Sequence, residues 1–260
     1  LNFYVPAKYF EGDKSEAGKF DAASAPIFLP NSIGGYMPGK PFTPALDKNS
    51  KPNAVLAALE RGYVVAAPGA RGRTLKDANG KFSGKAPAAI VDLKAAVRYL
   101  KFNDAAMAGD ANKIISNGTS AGGAMSALLG VSANAPEFEP YLAALGAAKA
   151  SDEIYAASVY CPITNLENAD AAYEWMFSAQ TKYEKMDFST FDAAGFNDRS
   201  GKPKTVSGEL TAEQKELSAA LKSAFPAYVN SLNLKDAKGH ALSLDENGEG
   251  SFKEYINALI

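Results

Sequence analysis

The residues with the clearest chemical potential lie in Lys113-Ile-Ile-Ser-Asn-Gly118-Thr-Ser120-Ala-Gly122-Gly123. An apolar run enters Gly118-Thr-Ser120-Ala-Gly122, and a small-residue stretch running to Val131 leaves it. This is G-x-S-x-G between a predicted strand and a predicted helix, where small neighbours permit a strained turn that lifts a serine hydroxyl out of a sheet. Such a serine attacks a carbonyl once a base takes its proton and N–H donors hold the oxyanion that forms. Ala121 opens the predicted helix, so its amide and the helix dipole face that oxygen. A second donor is expected in the loop after an earlier strand, where Pro30-Asn-Ser-Ile-Gly34-Gly35-Tyr36 follows Ile27-Phe28-Leu29. Gly35 is the expected donor, because glycine lets backbone approach a substrate closely.

Positioning these groups requires a sheet, and residues 1–165 supply its pattern. Short apolar runs rich in β-branched or aromatic residues predict strands at Asn2 to Val5, Pro26 to Leu29, Tyr63 to Ala67, Lys113 to Asn117 and Ile154 to Tyr160. Helices are predicted between them at Asn53 to Arg61, Pro87 to Asn103 and Ala121 to Val131, the second with Ile90, Leu93, Val97 and Leu100 at helical spacing. Strands alternating with helices predict an α/β class with a mostly parallel sheet. After about Pro162 polar residues increase and the alternation stops, so residues 166–260 read as a helical insertion. Within it, Thr211-Ala-Glu-Gln214 is a capping box ahead of Leu217, Leu221 and Phe225, predicting a helix from about 212 to 232. Ser251-Phe-Lys-Glu254 reads as a second box opening a helix through Tyr255, Ile256, Leu259 and Ile260. Turns are predicted at Asn197 to Pro203 and Asp236 to Gly239. The last helix has no stop signal and the first residue is not Met, so the sequence reads as part of a longer polypeptide.

Composition narrows the function. The 260 residues carry 27 Lys and Arg against 29 Asp and Glu, and a net charge of −2 offers no footprint for nucleic acid or an anionic membrane. No apolar run reaches the roughly 18 residues of a membrane span, and the start lacks a signal peptide. One Cys and one His exclude a disulfide framework and a Cys/His zinc cluster, and the proposed chemistry needs no metal or cofactor. Gly80-Lys-Phe-Ser-Gly84-Lys85 resembles a phosphate loop but is one residue short, with Ala86 where a hydroxyl residue should stand. Asp245-Glu-Asn247-Gly-Glu249 begins like a calcium loop, yet Ile256 occupies the position of its bidentate Glu. Asn117-Gly-Thr119 is a formal glycosylation sequon inside the serine turn, and Cys161 reads as a small buried hydrophobe. Arg71 and Arg73 either face the site or pair with surface carboxylates, and Tyr173 with Trp175 lines a pocket or packs between helices.

At this point the sequence resembles the bacterial tannases, α/β-hydrolase-fold serine esterases that cleave galloyl esters. The resemblance runs collinearly over nearly the whole chain. It rests on Leu29-Pro-Asn-Ser-Ile-Gly-Gly-Tyr36, Arg61-Gly-Tyr-Val-Val-Ala-Ala-Pro-Gly-Ala-Arg-Gly-Arg-Thr74, Gly109-Asp-Ala-Asn112, Asn117-Gly-Thr-Ser-Ala-Gly-Gly123, Phe138-Glu-Pro140, Ala144-Leu-Gly-Ala-Ala148, Tyr160-Cys-Pro-Ile-Thr-Asn-Leu-Glu167 and Ala172-Tyr-Glu-Trp175. It implies an acylated Ser120, oxyanion donors at Gly35 and Ala121, and Ile163 packed on the galloyl ring of a small phenolic ester. An ordinary core isoleucine is the alternative for Ile163. It also implies a lid from about residue 166.

The base is the gap. His240 is the single histidine, and Ser120, an Asp such as Asp198 and His240 satisfy only the chain order of a triad. Leu234-Lys-Asp-Ala-Lys-Gly-His-Ala-Leu-Ser-Leu244 reads as a surface turn instead. The resemblance places the triad Asp and His, and the groups that recognise galloyl hydroxyls, later in sequence. Five strands against the usual eight agree, and the expected partner is the remainder of the same polypeptide. A feruloyl or general carboxylesterase, an inactive binding fragment and, more distantly, a serine aminopeptidase using Glu139 or Glu167 are the alternatives. A secreted setting suits a polyphenol-degrading enzyme, with the cytoplasm as the other possibility.

Overall fold

A computed structural model describes residues 1–15, 19–187 and 204–259. These residues form two compact units, Leu1–Ile163 and the part from Thr164 onward. The expected turn at Asn197 to Pro203, Asp198 and Ile260 lie outside the described residues. No helix among the described residues is long and apolar enough to cross a membrane.

The first unit is built on five strands: β1 (Asn2–Tyr4), β2 (Pro26–Pro30), β3 (Val64–Ala67), β4 (Asp110–Thr119) and β5 (Ala156–Tyr160). Their order is β1-β3-β2-β4-β5, with β1 antiparallel to β3 and every other pairing parallel. Between them run α1 (Ala54–Glu60), α2 (Ala88–Phe102), α3 (Ala121–Val131) and α4 (Glu139–Leu145). Each anticipated strand and helix is present within a few residues, and α4 alone among these helices went unanticipated. Its seven residues begin with Glu139-Pro140 and end at Leu145, followed by Gly146 in the left-handed region (φ 72°), a start and stop pattern too short to show periodicity.

Burial follows the layering. Strand β3 is buried along its length, as a strand covered on both faces must be, and its Val-Val-Ala-Ala sequence has no polar alternation. Ile90, Leu93, Val97 and Leu100 of α2 join Ile27, Leu29, Val64, Ile114 and Leu129 in the main core. On the other sheet face Val55 and Ala58 of α1 pack with Val65. Among the described residues β5 is largely exposed and forms one edge of the sheet.

A buried ionic group ties α2 to the segments after α3. Lys94 Nζ donates to Asp152 Oδ1 at 2.8 Å and to the Ser132 carbonyl, and Arg98 donates to Asp152 Oδ2 from Nε and Nη2 and to Glu139. Lys94 and Asp152 are fully buried. Burial pushes the Asp152 carboxyl up, but hydrogen bonds from Lys94, the Asn134 amide and Arg98 outweigh it and hold the group below its ordinary value.

The second unit contains α5 (Leu166–Phe177), a hairpin of β6 (Lys182–Asp187) with β7 (Lys204–Glu209), α6 (Ala212–Ser231) and α7 (Ser251–Leu259). Trp175 stacks on Phe225 and Phe252 at 5.0 and 5.8 Å, with Val229 and Leu244 beside them, so this tryptophan packs between helices. The Thr211 capping box forms as anticipated. The second box does not: Ser251 Oγ accepts from the Ser243 amide and donates to the Ala241 carbonyl, tying the helix start to the preceding loop. The hairpin was missed because Lys-Tyr-Glu-Lys-Met-Asp and Lys-Thr-Val-Ser-Gly-Glu carry polar residues on both faces, leaving no period-two signal.

Candidate active site

Parallel pairing sends the loops after β2, β3, β4 and β5 to one edge of the sheet, their carboxyl edge. These loops carry Gly35, Arg71 and Arg73, Ser120, and Cys161 to Ile163 respectively.

Ser120 joins β4 to α3 with φ 57° and ψ −122°, a conformation that costs a side-chain-bearing residue about 1–3 kcal/mol. The surroundings over-determine it. Its amide donates to the Tyr160 carbonyl at 2.9 Å, and its own carbonyl receives the Ala124 amide at 2.9 Å. Glycine is required on both sides by close contact: a Cβ at Gly118 would stand 2.3 Å from the Gly122 oxygen, and one at Gly122 would stand 2.5 Å from Asn31 Oδ1. The side chain of Ser120 is exposed, and its hydroxyl has no hydrogen-bond partner among the described residues.

Ala121, fully buried, is the first residue of α3, and its N–H is one of the first-turn donors without an intrahelical acceptor. Gly35 is exposed at φ 56° in the turn after β2. Both expected oxyanion donors thus flank the carboxyl ends of neighbouring strands.

Asn31, buried at the root of the Gly35 loop, had no role assigned from sequence. Its Nδ2 lies within hydrogen-bond distance of the Asn117 carbonyl (3.0 Å), the Gly122 carbonyl (3.1 Å) and Ser126 Oγ (2.9 Å), while its Oδ1 accepts the Ile33 amide. The available signal was a polar pair, Asn31-Ser32, directly after the apolar run Pro-Ile-Phe-Leu-Pro. Arg73 holds the same loop further along, donating from Nε to the Gly35 carbonyl at 3.0 Å and from its amide to the Tyr36 carbonyl. Arg71 instead forms a two-pronged pair with Asp92, which resolves its alternatives in favour of a carboxylate partner. Tyr36 buries its hydroxyl, and burial pushes the phenol up.

Ile163 follows β5 and is 38% exposed. Cys161, expected to be buried, is exposed among the described residues, with φ 43°. Asn117 Nδ2 donates to the Ser158 carbonyl and approaches Ser158 Oγ, so the sequon asparagine is engaged inside the sheet.

Three other motifs resolve into one recurring turn. At Asp47, Asp77, Asp236 and Asp245 the carboxylate Oδ1 accepts amides two and four residues ahead, and the fourth residue of each turn has positive φ. The Asp77 turn accounts for Gly80, and the Asp245 turn accounts for the calcium-like start. His240 ends the Asp236 turn, exposed, with Nδ1 2.9 Å from Asp236 Oδ2. Their hydrogen bond holds the Asp236 carboxyl below its ordinary value. Glu139 is committed to Arg98.

A mostly parallel sheet sandwiched by helices, with a strand-turn-helix serine at its carboxyl edge, is an α/β-hydrolase fold. The BD-FAE family profile matches residues 35–199, and the chain belongs to that family. Among solved structures it is similar to the tannase of Fusobacterium nucleatum, 56% identical with a TM-score of 0.86 over 98% of this chain and 53% of that one. The Lactobacillus plantarum tannase is 47% identical, with a TM-score of 0.81 over 98% of this chain and 54% of that one. A tannin acyl hydrolase solved with ethyl gallate matches at 47% identity and a TM-score of 0.77 over 98% and 52%. Esterase LipQ of Mycobacterium tuberculosis is 37% identical over 90 residues, 35% of this chain and 20% of LipQ. The chain therefore spans about half the length of the tannases it resembles.

Proposed function

We propose that the protein of this chain is a serine carboxylesterase acting on galloyl or related phenolic esters. Ser120 attacks the ester carbonyl, the amides of Gly35 and Ala121 hold the oxyanion, and water then hydrolyses the acyl-enzyme. The observation that carries the reading is the strained Ser120 turn, exposed between β4 and α3, with two glycines that admit no side chain beside it. A hydroxyl fixed this way at a helix N-terminus suits attack on a carbonyl whose developing charge needs nearby amides. Ile163, exposed on the loop after β5, offers an aliphatic surface to an aromatic acyl group. The part from about residue 166 is assigned a lid role, and the acid and base of the triad are assigned to groups other than His240.

The galloyl preference rests on the tannase likeness, and the LipQ match favours a second reading, an esterase of wider range. Fluorophosphonate labelling of the full-length protein tests the chemistry: one adduct on the peptide containing Ser120 supports it, and an unlabelled serine refutes it. Comparing kcat/KM for methyl gallate and methyl ferulate then separates a galloyl esterase, which prefers the first, from a feruloyl or general one.

A further inference from the structure

The Gly35 amide can serve an oxyanion only if its loop keeps a fixed distance from Ser120, and the two belong to segments far apart in sequence. Gly35 stands at positive φ in an exposed turn, and no backbone acceptor among the described residues receives its N–H. What could hold such a turn must come from its ends.

Two contacts do. At the root, Asn31 continues the β2 to β4 pairing, its amide donating to the Asn117 carbonyl at 2.9 Å. Its side chain then crosses to the far side of the serine turn, reaching the Gly122 carbonyl and Ser126 Oγ within α3. One buried carboxamide is therefore bonded to the strand before Ser120 and to the helix after it. Gly122 and Gly118 leave this side chain just enough room, since a Cβ at either would stand 2.5–2.6 Å from an Asn31 atom. At the tip, Arg73 Nε donates to the Gly35 carbonyl, and the Arg73 amide to the Tyr36 carbonyl.

We propose that Asn31 and Arg73 are positioning residues for ester hydrolysis, which set the Gly35 amide at oxyanion distance from Ser120 without touching substrate. The inference rests on the esterase reading. The chemistry of the side chain suits this role, because a carboxamide supplies two donors and one acceptor, all used here, whereas aspartate supplies none of the donors and would face two carbonyl oxygens. A displaced oxyanion donor loses stabilisation specific to the transition state, so kcat falls while ground-state affinity stays.

The test uses the full-length protein with Asn31→Asp, Asn31→Ala and Arg73→Ala, measuring kcat, KM, the affinity of a boronic acid that forms a tetrahedral adduct on serine, and the affinity of the product acid. The expected result is a kcat lower by roughly 100-fold for the Asn31 variants and roughly 10-fold for Arg73→Ala. Boronate affinity falls in proportion to kcat/KM, and product-acid affinity is unchanged. Variants that keep the wild-type kcat, or that lose product-acid and boronate affinity equally, overturn the inference while leaving the esterase reading intact. A wild-type protein that neither labels at Ser120 nor turns over esters overturns the esterase reading and this inference with it. Arg73 is exposed, so its variant decides the matter if the Asn31 substitutions prevent folding.

Discussion

Asn31 Nδ2 lies 3.1 Å from the carbonyl oxygen of Gly122, a residue 91 positions further along the chain. The contact is possible because Gly122 has no side chain: a methyl group there would overlap Asn31 Oδ1 at 2.5 Å and press on the Ile33 carbonyl at 2.8 Å. Helix propensity alone makes Gly122→Ala stabilising by about 1 kcal/mol. Packing gives the opposite sign. We expect Gly122→Ala to lose about 1–3 kcal/mol in urea unfolding, because Asn31 and the Ile33 backbone are both buried and neither can swing aside.

Ser120→Gly should behave in the reverse way. Glycine accepts φ 57° and ψ −122° with little strain, so the backbone penalty of about 1–3 kcal/mol is relieved, less the entropy of the freer unfolded chain. A net gain of about 1 kcal/mol in unfolding free energy is expected, with complete loss of fluorophosphonate labelling. Destabilisation would mean that the Ser120 side chain makes a native contact outweighing the strain.

Asp152 carries the largest stability effect. It accepts from two cations and an amide while fully buried, so Asp152→Ala leaves Lys94 and Arg98 without their shared anion and should cost about 3–5 kcal/mol. The same group sets an acid limit. Its folded-state pKa is depressed, so the unfolded chain binds the proton more readily, and the contribution is fully present above the unfolded carboxylate value of about 3.9. It is lost as pH falls through the folded value. Unfolding curves taken between pH 6 and 3 should show wild-type stability dropping below about pH 4, and Asp152→Asn should flatten that drop.

Ile163→Ala separates binding from folding. Ile163 is exposed after β5, so its truncation should leave the unfolding free energy within about 0.5 kcal/mol of wild type. If the isoleucine covers an aromatic acyl group, KM for methyl gallate should rise by about 10-fold, the loss of one aliphatic contact face. An unchanged KM would remove Ile163 from the substrate site.

The sequence was legible where pattern and chemistry coincide. Ile90, Leu93, Val97 and Leu100 announced α2, and Gly118, Ser120 and Gly122 announced the strained turn, because helical spacing and a bare backbone are both written in residue types. Asn31 was not legible as an anchor, since its partners are two carbonyls and a hydroxyl that only the β2 to β4 pairing brings near. Arg71 and Arg73 are two residues apart and of one type, yet one binds Asp92 and the other the Gly35 carbonyl; that choice belongs to tertiary structure.

The recurring Asp turn bears on the order of folding events. Each corner at Asp47, Asp77, Asp236 and Asp245 is closed by its own carboxylate across four residues and needs nothing distant. Hairpins with such corners form within about 1–10 μs, before the chain has searched for remote partners. Bringing Asn31 to Gly122 instead closes a loop of 91 residues, at an entropic cost roughly 2–3 kcal/mol greater than that of a corner. During refolding the corners therefore bend first, and the alignment of the Gly35 loop with Ser120 is among the last features to return.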